Sequence, residues 1–126
     1  MQVKISADKE KKGFFTVIPA GAIDSDTYLD FQKSVNPLLV PETRGVLIDL
    51  KQVDYISSAG LGVFFSMKKF LSQNGGELLF CHLKPKIQRL FDIVKALPNT
   101  TIFASDEEAD RYFHKMMDKE IERQGD

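Results

Sequence analysis

The sequence predicts an α/β fold in which a central mixed β-sheet of about five strands is covered by four helices. Two continuous apolar runs, residues 45–50 and 77–82, have the composition of strands that are buried on both faces. The segment between them begins near Ser58 and has apolar residues at helical spacing. Together these segments predict a strand-helix-strand unit, whose two strands pair in parallel.

The elements before this unit are predicted to be a β-hairpin and a helix. Residues 3–6 alternate apolar and polar side chains, and a charged turn that ends at Gly13 leads into a second strand over residues 14–18. After Gly21, either Asp24 or Ser25 is expected to cap the first helix, which Pro37 and Pro41 bring to an end. The apolar positions of this helix are Tyr28, Leu29, Phe31, Val35 and Leu38.

After the unit, a third helix, a short strand and a final helix are predicted. Asn74 and the two glycines after it end the second helix, and Pro85 suits the first turn of the third, which ends near Pro98. Residues 101–103 form a short strand, and the capping box at residues 105–108 begins a final helix over about 105–122. The apolar stripe of the third helix consists of Ile87, Leu90, Phe91 and Val94.

Length and composition favour one domain that spans residues 1–126. The 126 residues include 43% hydrophobic and 28% charged residues, and the formal net charge of -1 gives no electrostatic attraction for a nucleic-acid backbone. No apolar stretch approaches the roughly 18 residues of a membrane span, and the N-terminus lacks the layout of a secretion signal. We therefore expect a cytoplasmic protein with no direct nucleic-acid partner and no membrane span.

The few soft ligand residues do not predict a metal site or a cofactor. Cys81 is the single cysteine and has the character of a small core residue, and a neighbouring His82 does not by itself make a metal site. His114 is the second of two histidines. The sequence therefore predicts no metal and no cofactor.

Two adjacent serines, Ser57 and Ser58, stand where the apolar strand ends and the second helix begins. The unpaired N–H groups and the positive end of the helix dipole favour an anion there, so a serine in this place suits reversible phosphorylation. Serine is also a preferred N-cap, and this structural role would explain the residue type without any regulation.

Around the second helix, a wheel of about 100° per residue places Leu61 and Phe65 on the side of Ser58, away from the core positions. Two apolar side chains beside a hydroxyl predict a docking surface. Gly60 and Gly62 each cost roughly 1 kcal/mol relative to alanine. Close access for a partner is favoured for Gly60, whereas tight packing on the sheet accounts at least as well for Gly62. The predicted core positions are Val63, Phe64, Met67, Phe70 and Leu71.

Residues 54–63 resemble the signature of the anti-sigma factor antagonists, the bacterial STAS domain family. Residues 21–24, 74–77 and 87–92 resemble further parts of the same family in the same order, so that the resemblance covers the chain up to about residue 109. The predicted helix over about 105–122 would then be an extension, whose Met116, Met117 and Ile121 pack on the domain or meet another subunit. Ser57 stands where the family commonly has an aspartate.

The resemblance implies a protein that binds an anti-sigma factor, itself a serine kinase, and thereby releases a sigma factor. Phosphorylation of Ser58, or alternatively of Ser57, would end the interaction, and a PP2C-type phosphatase would restore it. The resemblance places Asp24 near the phosphate acceptor, and a monomer is expected. The expected partner-binding residues are Asp24, Ser57, Ser58, Ala59, Gly60, Leu61, Gly62 and Phe65.

Two other classes of function are weighed against this one. An enzyme with Ser58 as nucleophile and His82 as base is disfavoured, because no Gly-x-Ser-x-Gly sequence and no evident oxyanion pocket accompany the serine. A STAS scaffold, or a module in which residues 57–62 hold a nucleotide phosphate or another small ligand, stays open. Such modules occur in sensory or transport-linked assemblies.

Overall fold

Strands and helices follow one another along the chain in the predicted order. The structure, a computed structural model, describes residues 1–94 and 101–103. The strands are β1 (Gln2–Ala7), β2 (Phe14–Ala20), β3 (Gly45–Asp49), β4 (Glu77–Cys81) and β5 (Thr101–Phe103). The helices are α1 (Tyr28–Val35), α2 (Ser58–Gln73) and α3 (Pro85–Val94), with a 3-10 turn at Asn36–Leu38. The predicted final helix over about 105–122, with Met116, Met117 and Ile121, lies outside the described residues.

The sheet is mixed, as predicted, and its strands lie in the order β1-β2-β3-β4-β5. β1 and β2 form an antiparallel hairpin, and the pairs β2–β3, β3–β4 and β4–β5 are parallel. Every residue of β3 is buried, because this strand has a hydrogen-bonded neighbour on each side and side chains cover both of its faces. The carboxyl ends of β2, β3 and β4 consequently share one edge of the sheet.

The helices pack on the sheet through a row of phenylalanine rings. Phe64 of α2 lies 5.5 Å from Phe31 of α1 and 5.1 Å from Phe80 of β4, each measured between ring centroids and each in an edge-to-face arrangement. Phe91 of α3 continues the row at 5.1 Å from Phe80. This geometry is the favourable one for aromatic pairs, so the row fixes all three helices against the sheet. No helix within residues 1–94 combines the length and the apolar character that crossing a membrane requires.

The first helix starts later than predicted. Of the two predicted caps, Asp24 caps the turn that leads into α1: its Oδ1 accepts hydrogen bonds from the N–H groups of Asp26 and Thr27, and its carbonyl oxygen accepts from those of Thr27 and Tyr28. Thr27 occupies the N-cap position, and Leu29, predicted to face the core, is 61% exposed. A local polar turn therefore takes the residues that the prediction gave to the first helical turn.

The fourth strand also ends one residue earlier than predicted. His82 has a φ of 56°, a left-handed conformation that cannot continue a strand. β4 therefore ends at Cys81, and the chain turns towards α3, which begins at Pro85 as predicted.

Candidate functional site

The start of α2 is held against the loop that follows β2. A parallel bridge joins Ile23 to Ile56, with the N–H of Ile23 bonded to the carbonyl oxygen of Tyr55 at 2.9 Å. The N–H of Ser57 bonds in turn to the carbonyl oxygen of Ile23 at 2.8 Å. These contacts fix the first residues of α2 beside Asp24 at the carboxyl edge of the sheet.

The two serines at this junction differ in their surroundings. Ser57 is the N-cap of α2, is half-buried, and its hydroxyl oxygen accepts a hydrogen bond from the N–H of Gly60 at 3.2 Å. Ser58 is the first residue of the helix and is exposed, and its hydroxyl makes no hydrogen bond to residues 1–94. A group added to Ser58 would meet solvent, whereas one added to Ser57 would displace the cap.

Asp24 lies next to this junction, but its side chain is turned to its own loop. Its Oδ1 accepts hydrogen bonds from the N–H of Asp26 at 2.9 Å and from the N–H of Thr27 at 3.1 Å. No hydrogen bond joins Asp24 to Ser57 or Ser58 among the residues that the structure describes. The carboxylate therefore does not orient the serine hydroxyl, and its second oxygen, Oδ2, makes no hydrogen bond to the described residues.

The glycines of α2 have roles opposite to those favoured from the sequence. A Cβ on Gly60 would lie 2.6 Å from the carbonyl oxygen of Ile23 and 3.0 Å from Cγ2 of Ile56. A glycine is required there because the helix presses against the bridge. A Cβ on Gly62 would meet nothing within 4 Å. Packing therefore does not require a glycine at this position, and its effect is to leave the helix backbone uncovered there.

The exposed side of α2, which we call the outer face, joins the serine to one large apolar side chain. Phe65 is 46% exposed, as predicted, and lies two helical turns from Ser58 on the same side. The outer face consists of Ser58, Gly62, Phe65, Ser66 and Lys69.

Leu61 does not belong to this face, and its predicted exposure is wrong. It is 8% exposed and is part of the core cluster. On the wheel it lies about 60° from Phe64, which contacts Phe31. Since α2 contacts both α1 and β4, its buried side is wider than a single wheel indicates.

The two lysines in the middle of α2 are also unequal. Lys69 is exposed, whereas Lys68 is half-buried, and this partial loss of water lowers the pKa of Lys68 from its ordinary value. Of the two lysines, Lys69 therefore belongs to the outer face.

A groove of about 370 Å³ opens between the loop before α2 and the first turns of α3. Its lining is mainly apolar, with Ile56, Ile87 and Leu90, and it includes two cationic residues, Lys86 and Arg89. The remaining lining residues are Asp54 and Tyr55. A groove of this size can take a small ligand or a side chain of a partner.

A second cluster of polar side chains lies at the same edge of the sheet. Asp49 ends β3, Cys81 ends β4 and His82 follows it, and one donor atom of each lies within 4.8 Å of the others. From the sequence, neither Cys81 nor His82 is predicted to belong to a site. The signal that could have joined them to Asp49 is the parallel pairing of the two strands, which brings both carboxyl ends to one place.

Of the predicted site residues, the structure therefore exposes Ser58 and Phe65 on one side of α2 with the half-exposed Gly62 between them. Ser57 and Ala59 are half-buried, and Gly60 and Leu61 are buried. Asp24 is half-buried in the adjoining loop. The surface open to a partner is narrower than predicted.

Comparison with known families and sequences agrees with this architecture. Residues 7–109 match the family model of the STAS domain. The anti-sigma-B factor antagonist of Staphylococcus aureus is 32% identical over 93 residues, which cover 74% of this chain and 85% of that protein.

Solved structures show the same fold at low sequence identity. The anti-sigma factor antagonist SpoIIAA in its unphosphorylated form matches with a TM-score of 0.69 and 13% identity over 88% of this chain and 97% of that chain. SpoIIAA of Bacillus in its phosphorylated form matches with a TM-score of 0.65 and 12% identity, over 86% of this chain and 99% of that chain. At these identities the likeness concerns the fold.

Proposed function

Because this chain belongs to the STAS domain family, we propose that it is an anti-sigma factor antagonist regulated by phosphorylation. In its unphosphorylated form it binds an anti-sigma factor, and a sigma factor is released. The curated relative named anti-sigma-B factor antagonist supports this assignment. The observation that carries the mechanism is the exposed Ser58 at the start of α2, on the same face as the exposed Phe65.

Ser58 suits a phosphate that leaves the fold intact. A phosphoserine carries about 1.5 to 2 negative charges at neutral pH, and the positive end of a helix dipole stabilises such a charge within its first turn. Because the Ser58 side chain is exposed, the phosphate displaces no packed group. The modified protein should therefore remain folded.

The same phosphate would oppose docking. A partner that covers the outer face of α2 buries Phe65 and lies directly over the exposed helix backbone at Gly62. A dianion on Ser58 would have to lose its water at this contact, which costs several kcal/mol when the charge is left unpaired. Phosphorylation would thus weaken binding without unfolding the protein.

Ser58 is preferred to Ser57 as the phosphate acceptor. The hydroxyl of Ser57 caps α2 through Gly60, so its modification would remove a contact that stabilises the helix. The hydroxyl of Ser58 is not held in this way within residues 1–94.

The proposed partners are an anti-sigma factor that is also a serine kinase, and a PP2C-type phosphatase that removes the phosphate. Asp24, through its second carboxylate oxygen, and the outer face of α2 are the proposed contacts. The protein acts without catalysis of its own, in the cytoplasm where sigma factors work, as one domain over residues 1–126.

The test compares two variants of Ser58 against the anti-sigma factor kinase of the source organism. Ser58→Ala should bind the kinase about as tightly as the wild type and take up no phosphate. Ser58→Asp should bind at least about a hundredfold more weakly, because it adds a charge at the contact. The affinities are measured by calorimetry and phosphate uptake by intact mass.

Ser66→Ala is the matched control, since Ser66 is an exposed serine two turns further along the same helix. It should take up phosphate like the wild type. Equal affinity of Ser58→Ala and Ser58→Asp, or phosphate uptake by Ser58→Ala, would contradict the proposed switch.

The groove beside α3 supports a second candidate function, that of a ligand-binding module. Its mainly apolar lining, which includes Lys86 and Arg89, suits an anionic ligand with an apolar part. The start of α2 is a poorer cradle for a nucleotide phosphate, because the N–H groups of Gly60 and Leu61 already bond to Ser57. Calorimetric titration with nucleotides separates the candidates, since a switch of the proposed kind needs no such ligand.

A further inference from the structure

Three side chains with different donor atoms converge at the carboxyl ends of β3 and β4. Asp49 lies opposite Cys81 in the parallel pairing of the two strands, and His82 follows directly. Nδ1 of His82 is 3.2 Å from Oδ1 of Asp49 and 3.6 Å from Sγ of Cys81. The nitrogen therefore lies between an oxygen and a sulfur.

These distances match the spacing of ligand atoms around one tetrahedral zinc ion. With bonds of about 2.0 Å to nitrogen and oxygen and about 2.3 Å to sulfur, ligand atoms lie about 3.3 Å apart for nitrogen and oxygen and about 3.5 Å apart for nitrogen and sulfur. The observed 3.2 and 3.6 Å agree with these two spacings. The third spacing, between the oxygen of Asp49 and the sulfur of Cys81, lies within 4.8 Å, and closing it to about 3.5 Å on binding would complete the set. A sulfur, nitrogen and oxygen set favours zinc, because magnesium and calcium take oxygen ligands.

The surroundings hold the three donors, and one of them reaches solvent. The side chain of Asp49 is 2% exposed, and its Oδ2 pairs with the ammonium of Lys51 at 3.2 Å. Its Oδ1 accepts a hydrogen bond from the backbone N–H of Lys51 at 3.0 Å and faces His82. Cys81 is fully buried, whereas the side chain of His82 is 28% exposed. An ion could thus enter beside the imidazole, and an outer partner such as Lys51 is a usual support of a carboxylate ligand.

We propose that Asp49, Cys81 and His82 form a zinc-binding site with three protein ligands. On binding, the thiol of Cys81 releases its proton to solvent and its sulfur forms the bond to zinc, while Nδ1 of His82 binds with the proton of the ring on Nε2. Three protein ligands leave a fourth position for water. The site shares no residue with the proposed phosphorylation site, and the ion would tie β3 to β4 at the carboxyl edge of the sheet.

The test uses the full chain, freed of metal with a chelator, and Co²⁺ as a spectroscopic probe for the zinc position. One equivalent of Co²⁺ should give a sulfur-to-cobalt charge-transfer band in the near ultraviolet, and Zn²⁺ should abolish the band by displacement. Zn²⁺ should also raise the melting temperature of the wild type, because it binds the folded state.

Variants assign the ligands. His82→Asn removes the imidazole, and asparagine readily adopts the left-handed backbone conformation of this position. Cys81→Ser replaces the sulfur with little change in size. Each should lower zinc affinity by at least about tenfold, whereas His114→Asn, which alters the one other histidine, should bind as the wild type does.

Two results would overturn the proposal. One is the absence of the charge-transfer band, which would show that Cys81 does not bind the metal. The other is an unchanged zinc affinity in His82→Asn, which decides the matter even if Cys81→Ser fails to fold.

Discussion

The hydroxyl oxygen of Ser57 lies 3.2 Å from the backbone nitrogen of Gly60 and accepts its hydrogen bond. This contact satisfies one of the N–H groups that a helix leaves unpaired at its start. It also gives the adjacent serines separate tasks, since Ser57 caps the helix while the hydroxyl of Ser58 points to the outside of the described domain.

Replacement of each serine by alanine should have different effects on the free energy of unfolding. Ser57→Ala should lower the free energy of unfolding by about 1 kcal/mol, because the cap is lost. Ser58→Ala should change it by less than about 0.5 kcal/mol, as is usual for an exposed site. Urea denaturation followed by circular dichroism measures both values. A larger loss in Ser58→Ala than in Ser57→Ala would mean that the roles are reversed.

The two glycines of α2 should respond to alanine in opposite directions. Gly60→Ala should destabilise the fold by about 1 to 3 kcal/mol, because the new methyl group would overlap the carbonyl oxygen of Ile23. Gly62→Ala should stabilise it by up to about 1 kcal/mol, since the methyl group enters open space and the helix gains a better residue. Thermal unfolding of the two variants, whose changes lie two residues apart in one helix, provides the comparison.

Gly62→Ala should nevertheless weaken binding to the anti-sigma factor if a partner approaches the bare helix closely. We expect a loss of affinity of about tenfold or more in a protein that is more stable than the wild type. Unchanged affinity in Gly62→Ala would remove this glycine from the proposed contact.

Truncation of Leu61 should affect stability, whereas truncation of Phe65 should affect partner binding. Leu61→Ala should cost about 2 to 4 kcal/mol of stability, because the side chain is 8% exposed and its removal leaves a cavity. Phe65→Ala should change stability by about 0.5 kcal/mol or less and should instead weaken partner binding, as expected for an exposed aromatic anchor. Denaturation and calorimetry on both variants test the pair. Partner affinity equal to wild type in Phe65→Ala would exclude this residue from the interface.

Two substitutions of Asp24 should distinguish a structural role of its side chain from an electrostatic one. Asp24→Asn keeps an oxygen that can accept the hydrogen bonds from Asp26 and Thr27, so its stability should stay close to that of the wild type. Asp24→Ala leaves those N–H groups without their acceptor and should cost about 1 to 2 kcal/mol. If the carboxylate charge contacts the partner, both variants should bind it more weakly, whereas full affinity in Asp24→Asn would limit the residue to its loop.

Much of the fold follows from local pattern. The apolar run of β3 predicts burial on both faces, the proline at residue 85 predicts the start of α3, and Asn74 with its glycines predicts the end of α2. Each of these features depends on residues that are close in the chain, where periodicity and turn chemistry act directly. The exposure of Ser58 and Phe65 also follows from helical spacing alone.

The sequence alone thus determines the order of the strands and helices, the strand-helix-strand unit with parallel strands, and the presence of a serine at the start of α2. Tertiary packing decides the rest. It buries Leu61 beneath neighbouring elements, makes Gly60 rather than Gly62 the tightly packed glycine, and gathers Asp49, Cys81 and His82 from separate segments. The physical reason is that these outcomes depend on atoms that are distant in sequence, whose positions exist only once the sheet and helices have packed together.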